Sequence, residues 1–127
     1  GTIADIVRSM PPRDLVTVDI TSPIQVVLDS FKEHGISQIP VLDEGSLVGI
    51  LTESDVLHRL VNGRARVDTS VAEVMERRVS TVSMHASSSE LPRIFERGEV
   101  ALVMDEDRKV VALITKMDLI DILARNH

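Results

Sequence analysis

The spacing of apolar positions changes along the chain, and each spacing predicts its own kind of element. Ser22 is predicted as an N-cap with Pro23 in the first turn, and apolar residues then recur at intervals of three and four until Gly35, which is typical of a helix with one buried face. Short apolar runs on either side of a polar turn predict a β-hairpin. The first half of the chain therefore predicts a strand at 16–18, a helix at 22–35, paired strands at 39–42 and 47–51, and a helix from Thr52 to Val61.

The second half of the chain repeats this order of elements. Thr17 and Phe31 recur 64 residues later as Thr81 and Phe95, and a fixed offset of this kind indicates a duplicated unit. Segments 2–7 and 70–75 also resemble each other, so each repeat begins with a short lead-in segment. The repeat predicts a strand at 80–82, a helix at 87–97, strands at 100–104 and 110–114, and a helix from Thr115. We therefore predict two units, 1–63 and 70–127, joined by a polar linker at 64–69.

Composition limits the classes of function. The chain has 127 residues, 43% hydrophobic residues and a net charge of −6, which indicates one folded domain and disfavours nucleic acid or anionic membrane as partner. It contains no cysteine, which fits a reducing compartment and predicts a cytoplasmic location. No apolar run is long enough to span a membrane. The histidines share no metal-ligand spacing and no nucleophile lies beside a base, so neither a metal site nor an enzyme is predicted. Because the chain starts at Gly1 rather than Met, we expect a fragment of a longer protein.

Each hairpin is followed by a Thr-x-x-Asp string that opens a helix, in heptapeptides 49–55 and 112–118. Two interpretations are open. Threonine at the N-cap with an acidic residue three positions later forms a capping box. The same helix start also presents free N–H groups to an anion, and its carboxylate can accept hydrogen bonds from two vicinal hydroxyls, as on ribose. Duplication of the string after a hairpin favours binding, because a cap needs no particular preceding strand.

The strings Gly49-Ile50-Leu51-Thr52-Glu53-Ser54-Asp55 and Gly35-Ile36-Ser37-Gln38-Ile39-Pro40-Val41 resemble motifs of the CBS domain, which occurs in tandem pairs called Bateman modules. The resemblance covers essentially the whole chain. It implies an α+β fold of two pseudo-symmetric strand-helix-strand-strand-helix units packed sheet to sheet. Tandem pairs of this family bind AMP, ADP, ATP or S-adenosylmethionine and control an attached enzyme, transporter or channel. The resemblance therefore implies a regulatory module with an adenosine-type ligand.

Two segments, 95–103 and 114–123, look like the C-terminal region of cystathionine β-synthase. In that family an N-terminal pyridoxal-phosphate domain carries out catalysis, and nothing in this chain resembles that domain. The resemblance implies a regulatory fragment without activity or cofactor of its own, whose partner is the catalytic domain of the parent chain. It favours S-adenosylmethionine as the ligand, followed by AMP and ATP.

The CBS family places two ligand clefts between the units, and each cleft takes residues from both. In the first cleft, the resemblance assigns Asp118 to the ribose hydroxyls, Thr115 to a ribose or phosphate oxygen, and Lys116 to a phosphate or a methionine carboxylate. The first cleft comprises Val16, Thr17, Ile36, Ser37, Gln38, Ile114, Thr115, Lys116 and Asp118. The second comprises Val79, Ser80, Val100, Ala101, Leu102, Leu51, Thr52 and Asp55.

The second cleft fits the family pattern less well. Glu53 precedes Asp55 where Lys116 precedes Asp118, and the added negative charge would repel phosphate. Ala112 also stands where the first repeat has a glycine. We therefore expect the Asp118 cleft to be the working site. The same departures leave a second hypothesis, a structural module that binds no ligand and forms homodimers through its helix faces.

Overall fold

A computed structural model of the chain describes residues 1–125. It is an α+β protein, as predicted, with two three-stranded sheets and five α-helices among the described residues. The elements of the first half are α1 (Ile3–Ser9), β1 (Val18–Asp19), α2 (Ile24–His34), β2 (Gln38–Asp43), β3 (Ser46–Thr52) and α3 (Glu53–Val61). Those of the second half are β4 (Ser80–Ser83), α4 (Leu91–Glu96), β5 (Ala101–Met104), β6 (Val110–Ile114) and α5 (Lys116–Arg125), with 3₁₀ turns at Val71–Glu73 and Ser88–Glu90.

Both sheets have the same topology, which confirms the predicted duplication. In each sheet the first strand pairs parallel with the second, and the second pairs antiparallel with the third. A parallel pair requires a crossover, and α2 and α4 provide it. Each sheet has its own apolar cluster, centred on residues such as Ile39 and Val56 in one and Leu91 and Ile114 in the other.

The chain divides into two compact units whose boundaries differ from those expected. The contiguous unit is Val16–Arg78, and the discontinuous unit joins Gly1–Leu15 to the chain from Val79 onward. The N–H groups of Ile3 and Ala4 donate to the carbonyls of Ala86 and Met84, both at 2.9 Å, so the start of α1 is capped by the second repeat. Ile3 is fully buried in the apolar cluster of that repeat. The first lead-in segment therefore packs with the second repeat.

The other lead-in segment packs with the first repeat in the same manner. The N–H of Val71 donates to the carbonyl of Ser22 at 2.8 Å, and the Ser70 hydroxyl donates to the carbonyl of Ile20 at 3.2 Å. Val71 is fully buried in the cluster of the contiguous unit. Each lead-in segment thus contributes to the core of the repeat that does not follow it in sequence.

The same backbone contacts show that segment 64–69 is not a linker and that α2 is not capped by Ser22. The N-cap of α2 is Pro23 rather than Ser22, and no side chain caps it. Instead, the N–H groups of Ile24 and Gln25 donate to the carbonyls of Thr69 and Val67, both at 2.9 Å. Segment 64–69 is therefore an ordered part of the contiguous unit, because its carbonyls satisfy the free donors of α2.

No helix among residues 1–125 is both long enough and apolar enough to cross a membrane.

Candidate functional site

The two Thr-x-x-Asp strings lie where the third strand of each sheet runs into the last helix of each repeat. The hydroxyl oxygen Oγ1 of Thr52 accepts a hydrogen bond from the N–H of Asp55, and Oγ1 of Thr115 accepts one from the N–H of Asp118, each at 3.2 Å. Both threonines therefore act as N-caps, which is the structural role that their spacing predicts.

The two aspartates differ in what their carboxylates contact. Oδ2 of Asp118 accepts a hydrogen bond from the N–H of Thr115 at 2.7 Å, which completes a reciprocal capping box. Among residues 1–125, the carboxylate of Asp55 accepts no hydrogen bond and forms no ion pair, and Asp55 is exposed. The capping role and the binding role considered for this string are therefore compatible at Asp118, whose carboxylate is oriented by its own helix start.

Arg13 is the contact of Asp118 that sequence reasoning missed. Its Nη1 donates to Oδ1 of Asp118 at 3.0 Å, and its Nη2 donates to Oδ2 at 2.8 Å, so the ion pair is bidentate. Nη2 also donates to the carbonyl of Leu113 at 2.8 Å. A signal was present in the sequence, because Arg77 follows Arg13 at the offset of 64 residues that relates Thr17 to Thr81.

These contacts determine the charge state of Asp118. Burial by itself would raise the pKa of Asp118, but hydrogen bonds from the Arg13 guanidinium and from Thr115 outweigh it, so the pKa lies below its usual value. The Asp118 side chain is only 14% exposed, whereas that of Arg13 is 48% exposed. The site is therefore a largely covered carboxylate, ionised at neutral pH, beside a guanidinium that solvent can reach.

The remaining residues of the first predicted cleft are divided between the two compact units. Ile114, Thr115, Lys116 and Asp118 follow one another at the junction of β6 and α5 in the discontinuous unit, where Lys116 is exposed and Ile114 is fully buried. In the contiguous unit, Val16, Thr17, Ile36 and Gln38 are partly buried, and Ser37 is exposed. Within that unit, the carbonyl of Ser37 accepts a hydrogen bond from the N–H of Glu53 at 2.9 Å, so the start of β2 lies beside the start of α3.

The residues of the second predicted cleft are less available to a ligand. Leu51, Ala101 and Leu102 are buried, while Val79 and Val100 are partly buried. The Ser80 hydroxyl is engaged by charged neighbours: it donates to Glu99 at 2.6 Å and accepts from Nη2 of Arg97 at 2.9 Å. Ser80 also lines a polar pocket of about 300 Å³ within the discontinuous unit, together with Thr81, Ser89, Glu90, Arg93, Ile94 and Arg97.

Metal binding finds no support in the described residues. Among residues 1–125, no group of three or more histidine, aspartate or glutamate side chains is placed to hold an ion. The acidic turn at 105–107 folds on itself, because Oδ1 of Asp105 accepts hydrogen bonds from the N–H groups of Asp107 and Lys109, each at 2.9 Å.

A duplicated three-stranded sheet with a Thr-x-x-Asp helix start in each copy defines a tandem-repeat protein. A family model of the CBS domain matches residues 3–62 and 71–125, and the chain therefore belongs to the CBS domain family, as a tandem pair. Its two matched ranges correspond to the repeats that the sequence predicts.

Curated relatives carry this pair within longer proteins. The uncharacterized protein MJ1232 of Methanocaldococcus jannaschii is 26% identical over 114 residues, which cover 88% of this chain and 37% of that protein. Cystathionine beta-synthase of Dictyostelium discoideum is 24% identical, with coverage of 100% and 26%. The 5'-AMP-activated protein kinase subunit gamma-3 of Bos taurus is 29% identical, with coverage of 87% and 24%. The chain thus spans about a quarter to two fifths of these relatives.

Solved structures share the fold over nearly their whole length. A putative signal-transduction protein with CBS domains from Burkholderia ambifaria MC40-6 has a TM-score of 0.87 and 26% identity, covering 100% of this chain and 96% of that one. The CBS domain pair of protein MJ0100, in complex with 5'-methylthioadenosine and S-adenosyl-L-methionine, has a TM-score of 0.82 and 22% identity, covering 100% and 98%. CBSX2 in complex with AMP has a TM-score of 0.78 and 20% identity, covering 98% and 97%.

Proposed function

We propose that this CBS pair is a regulatory module that binds an adenosine-type ligand, with the Asp118 carboxylate accepting hydrogen bonds from the ribose hydroxyls. The observation that carries the proposal is the orientation of this carboxylate by the N–H of Thr115 at the start of α5. Burial raises the pKa of Asp118, but the contacts of Arg13 and Thr115 outweigh burial and lower it, so the carboxylate is an acceptor at neutral pH. Adenosine-type ligands in the MJ0100 pair and in CBSX2 support the ligand class.

The other roles follow from the family resemblance. Lys116, which is exposed at the first position of α5, would neutralise a phosphate or a methionine carboxylate. Thr115 would contact a ribose or phosphate oxygen. The aliphatic residues Val16, Ile36 and Ile114, together with Thr17, Ser37 and Gln38, would surround the adenine. The second predicted cleft, which contains Asp55, is the weaker candidate site, since the negative charge of Glu53 near Asp55 disfavours an anionic ligand.

The finer proposal concerns the ligand and the parent protein. S-adenosylmethionine is the first choice, because the whole chain aligns with a cystathionine beta-synthase. A pyridoxal-phosphate enzyme of that type would then be the attached partner, and ligand binding would shift its population between two states. AMP or ATP is the next choice, because the chain also aligns with a kinase gamma subunit.

The test is isothermal titration of S-adenosylmethionine, AMP and ATP into the wild type, Asp118→Asn and the matched control Asp55→Asn. A hydrogen bond to a charged group is worth about 1.5–3 kcal/mol, so we expect Asp118→Asn to weaken binding at least about tenfold and Asp55→Asn to bind as the wild type does. Thermal unfolding verifies that both variants are folded. Unchanged affinity in Asp118→Asn would contradict the site assignment.

A second candidate function is a dimerisation module that binds no ligand. The observation that favours it is the exposure of apolar side chains on the last helix of each repeat. On α5, Met117 is 58% and Leu123 is 51% exposed, and on α3, Val61 is 87% exposed. If none of the three ligands gives a binding signal in the titration while light scattering gives the mass of a dimer, the dimerisation module replaces the ligand-binding module as the proposed function.

A further inference from the structure

The backbone that leads to Arg13 is restricted in conformation. Arg13 lies between α1 and β1, directly after Pro11 and Pro12. A proline fixes its own φ and restricts the residue before it to extended conformations, so this segment has little freedom to carry Arg13 away.

The hydrogen-bonding capacity of Asp118 does not accommodate both Arg13 and a ribose. A carboxylate offers about four lone-pair positions. Three of them accept hydrogen bonds in this structure, two from Arg13 and one from the N–H of Thr115. Two vicinal hydroxyls of a ribose need two lone-pair positions, but only one position of the Asp118 carboxylate is left. The Thr115 bond belongs to the helix cap, so the contact that yields is that of Arg13.

The contiguous unit contains the same pair of residue types in a different state. Arg77 and Asp55 occupy the positions that correspond to Arg13 and Asp118, and both lie in the contiguous unit. Among residues 1–125, no hydrogen bond or ion pair joins the side chains of Arg77 and Asp55, and both are exposed. The bidentate ion pair is thus a property of the Asp118 site and not of the motif in general.

We propose that Arg13 determines the specificity of the Asp118 site for ligands that carry an anionic group beside the ribose. The inference rests on the proposed function. In the empty site Arg13 neutralises Asp118. When ribose hydroxyls take the carboxylate, the displaced guanidinium needs a new anion, and a phosphate or a carboxylate of the ligand provides it. A neutral nucleoside displaces Arg13 without replacing its partner, so it binds more weakly.

The experiment compares two ligand pairs by isothermal titration. In each pair one member is a neutral nucleoside and the other, called the anionic member after that group, carries a phosphate or a carboxylate; S-adenosylmethionine carries a sulfonium and an ammonium group as well. The first pair is adenosine with AMP, which tests a phosphate. The second pair is 5'-methylthioadenosine with S-adenosylmethionine, which tests a carboxylate. The proteins are the wild type, Arg13→Gln, the charge-conserving Arg13→Lys, and Arg77→Gln as the matched control. Asp118→Asn reports separately on the proposed function.

We expect Arg13→Gln to reduce the preference for the anionic member at least about tenfold. Loss of the half-exposed ion pair makes the neutral member bind up to about fivefold more tightly, and loss of the charged contact weakens the anionic member. Arg13→Lys should retain part of the preference, since it keeps the charge without the planar fork. Arg77→Gln should retain all of it.

Two results would overturn the inference, and they are distinguishable. If the probes bind the wild type and Asp118→Asn weakens binding, but Arg13→Gln keeps the preference of the wild type, the role of Arg13 is wrong while the proposed function stands. If no probe binds the wild type, the proposed function fails and the inference fails with it.

Discussion

Asp118 couples the stability of the discontinuous unit to pH. Its pKa in the folded chain is lowered from the ordinary value of 3.8, because the contacts of Arg13 and Thr115 outweigh the effect of burial. The unfolded chain therefore takes up this proton before the folded chain does as the pH falls. The stabilisation from these contacts is fully present above the unfolded value and is lost as the pH falls through the lower, folded value.

We predict that Asp118→Asn is less stable than the wild type at pH 7 and that the difference shrinks towards pH 2. Urea unfolding between pH 7 and pH 2 measures it. The pKa values of Asp5 and Asp19 are also lowered, by hydrogen bonds from Thr2 and Thr21 respectively. Both groups make the stability of the wild type depend on pH, so the contribution of Asp118 is read from the difference between the wild type and the variant. Arg13→Gln keeps the contact between Asp118 and Thr115, so its stability at pH 7 should lie between that of the wild type and that of Asp118→Asn. A difference that does not change with pH would contradict the prediction.

The contacts of Asp118 show which residue-level features a sequence reveals. The capping contact with Thr115 depends only on a spacing of three residues within one helix start, so the Thr-x-x-Asp string was sufficient to predict it. The ion pair with Arg13 joins residues 105 positions apart, and local spacing carries no information about such a pair. Only comparison of the two repeats, through Arg77, could have drawn attention to Arg13.

At the scale of elements, β3 depends on a glycine for its contact with the segment before β4. Ile50 and Glu76 exchange two backbone hydrogen bonds, each at 2.9 Å, which brings the chain at Glu76 against the neighbouring Gly49. A Cβ at Gly49 would lie 2.8 Å from the carbonyl oxygen of Glu76 and 2.9 Å from the sulfur of Met75. The glycine of the first motif is therefore required by packing. The presence of Ala112 at the matching position is for that reason no evidence about ligand binding.

We predict that Gly49→Ala destabilises the chain by about 1–3 kcal/mol, the usual cost of overpacking a closed site. The reverse substitution, Ala112→Gly, is the matched control and should cost about 0.5–1 kcal/mol through backbone entropy, together with the loss of one partly buried methyl group that packs against the core. Denaturant unfolding of both variants measures the two costs. A neutral or stabilising Gly49→Ala would mean that the chain at Glu76 moves away without penalty.

Elements with a clear periodicity were predictable, and their partners were not. The apolar spacing before Gly35 predicted α2, and Gly35 does end it in the left-handed conformation, at φ 62°. The cap of α2 was misplaced because its acceptors, the carbonyls of Val67 and Thr69, belong to a segment whose polar composition predicted a linker. Backbone carbonyls exist in every residue, so no side-chain pattern marks those that cap a helix.

At the scale of the whole molecule, the two repeats differ in how much of their core is contiguous in sequence. All buried members of the cluster in the contiguous unit lie between Val18 and Met75. The cluster of the discontinuous unit needs Ile3 from α1 as well as residues from Val82 to Ile114. The repeat pattern predicted two units correctly but assigned each lead-in segment to the repeat that follows it, because amphipathic spacing does not specify which core receives Ile3.

We predict that a fragment of residues 16–78 retains cooperative unfolding, whereas a fragment of residues 70–127 does not. The first fragment keeps its cluster intact, although its size makes it only marginally stable. The second lacks α1 and therefore Ile3 of its core, and a peptide of residues 1–15 added in trans should restore part of its structure. Circular dichroism with thermal unfolding measures both effects, and a stable second fragment without the peptide would contradict the prediction.

The exchange of lead-in segments also has a consequence for synthesis on the ribosome. Domains fold as units while the chain emerges, and the contiguous unit is complete once Arg78 has left the exit tunnel. Residues 1–15 emerge before it, yet their packing partners, from Met84 to α5, are made after it. The apolar side chains of α1, among them Ile3 and Ile6, therefore lack their partners from the second repeat while the contiguous unit folds.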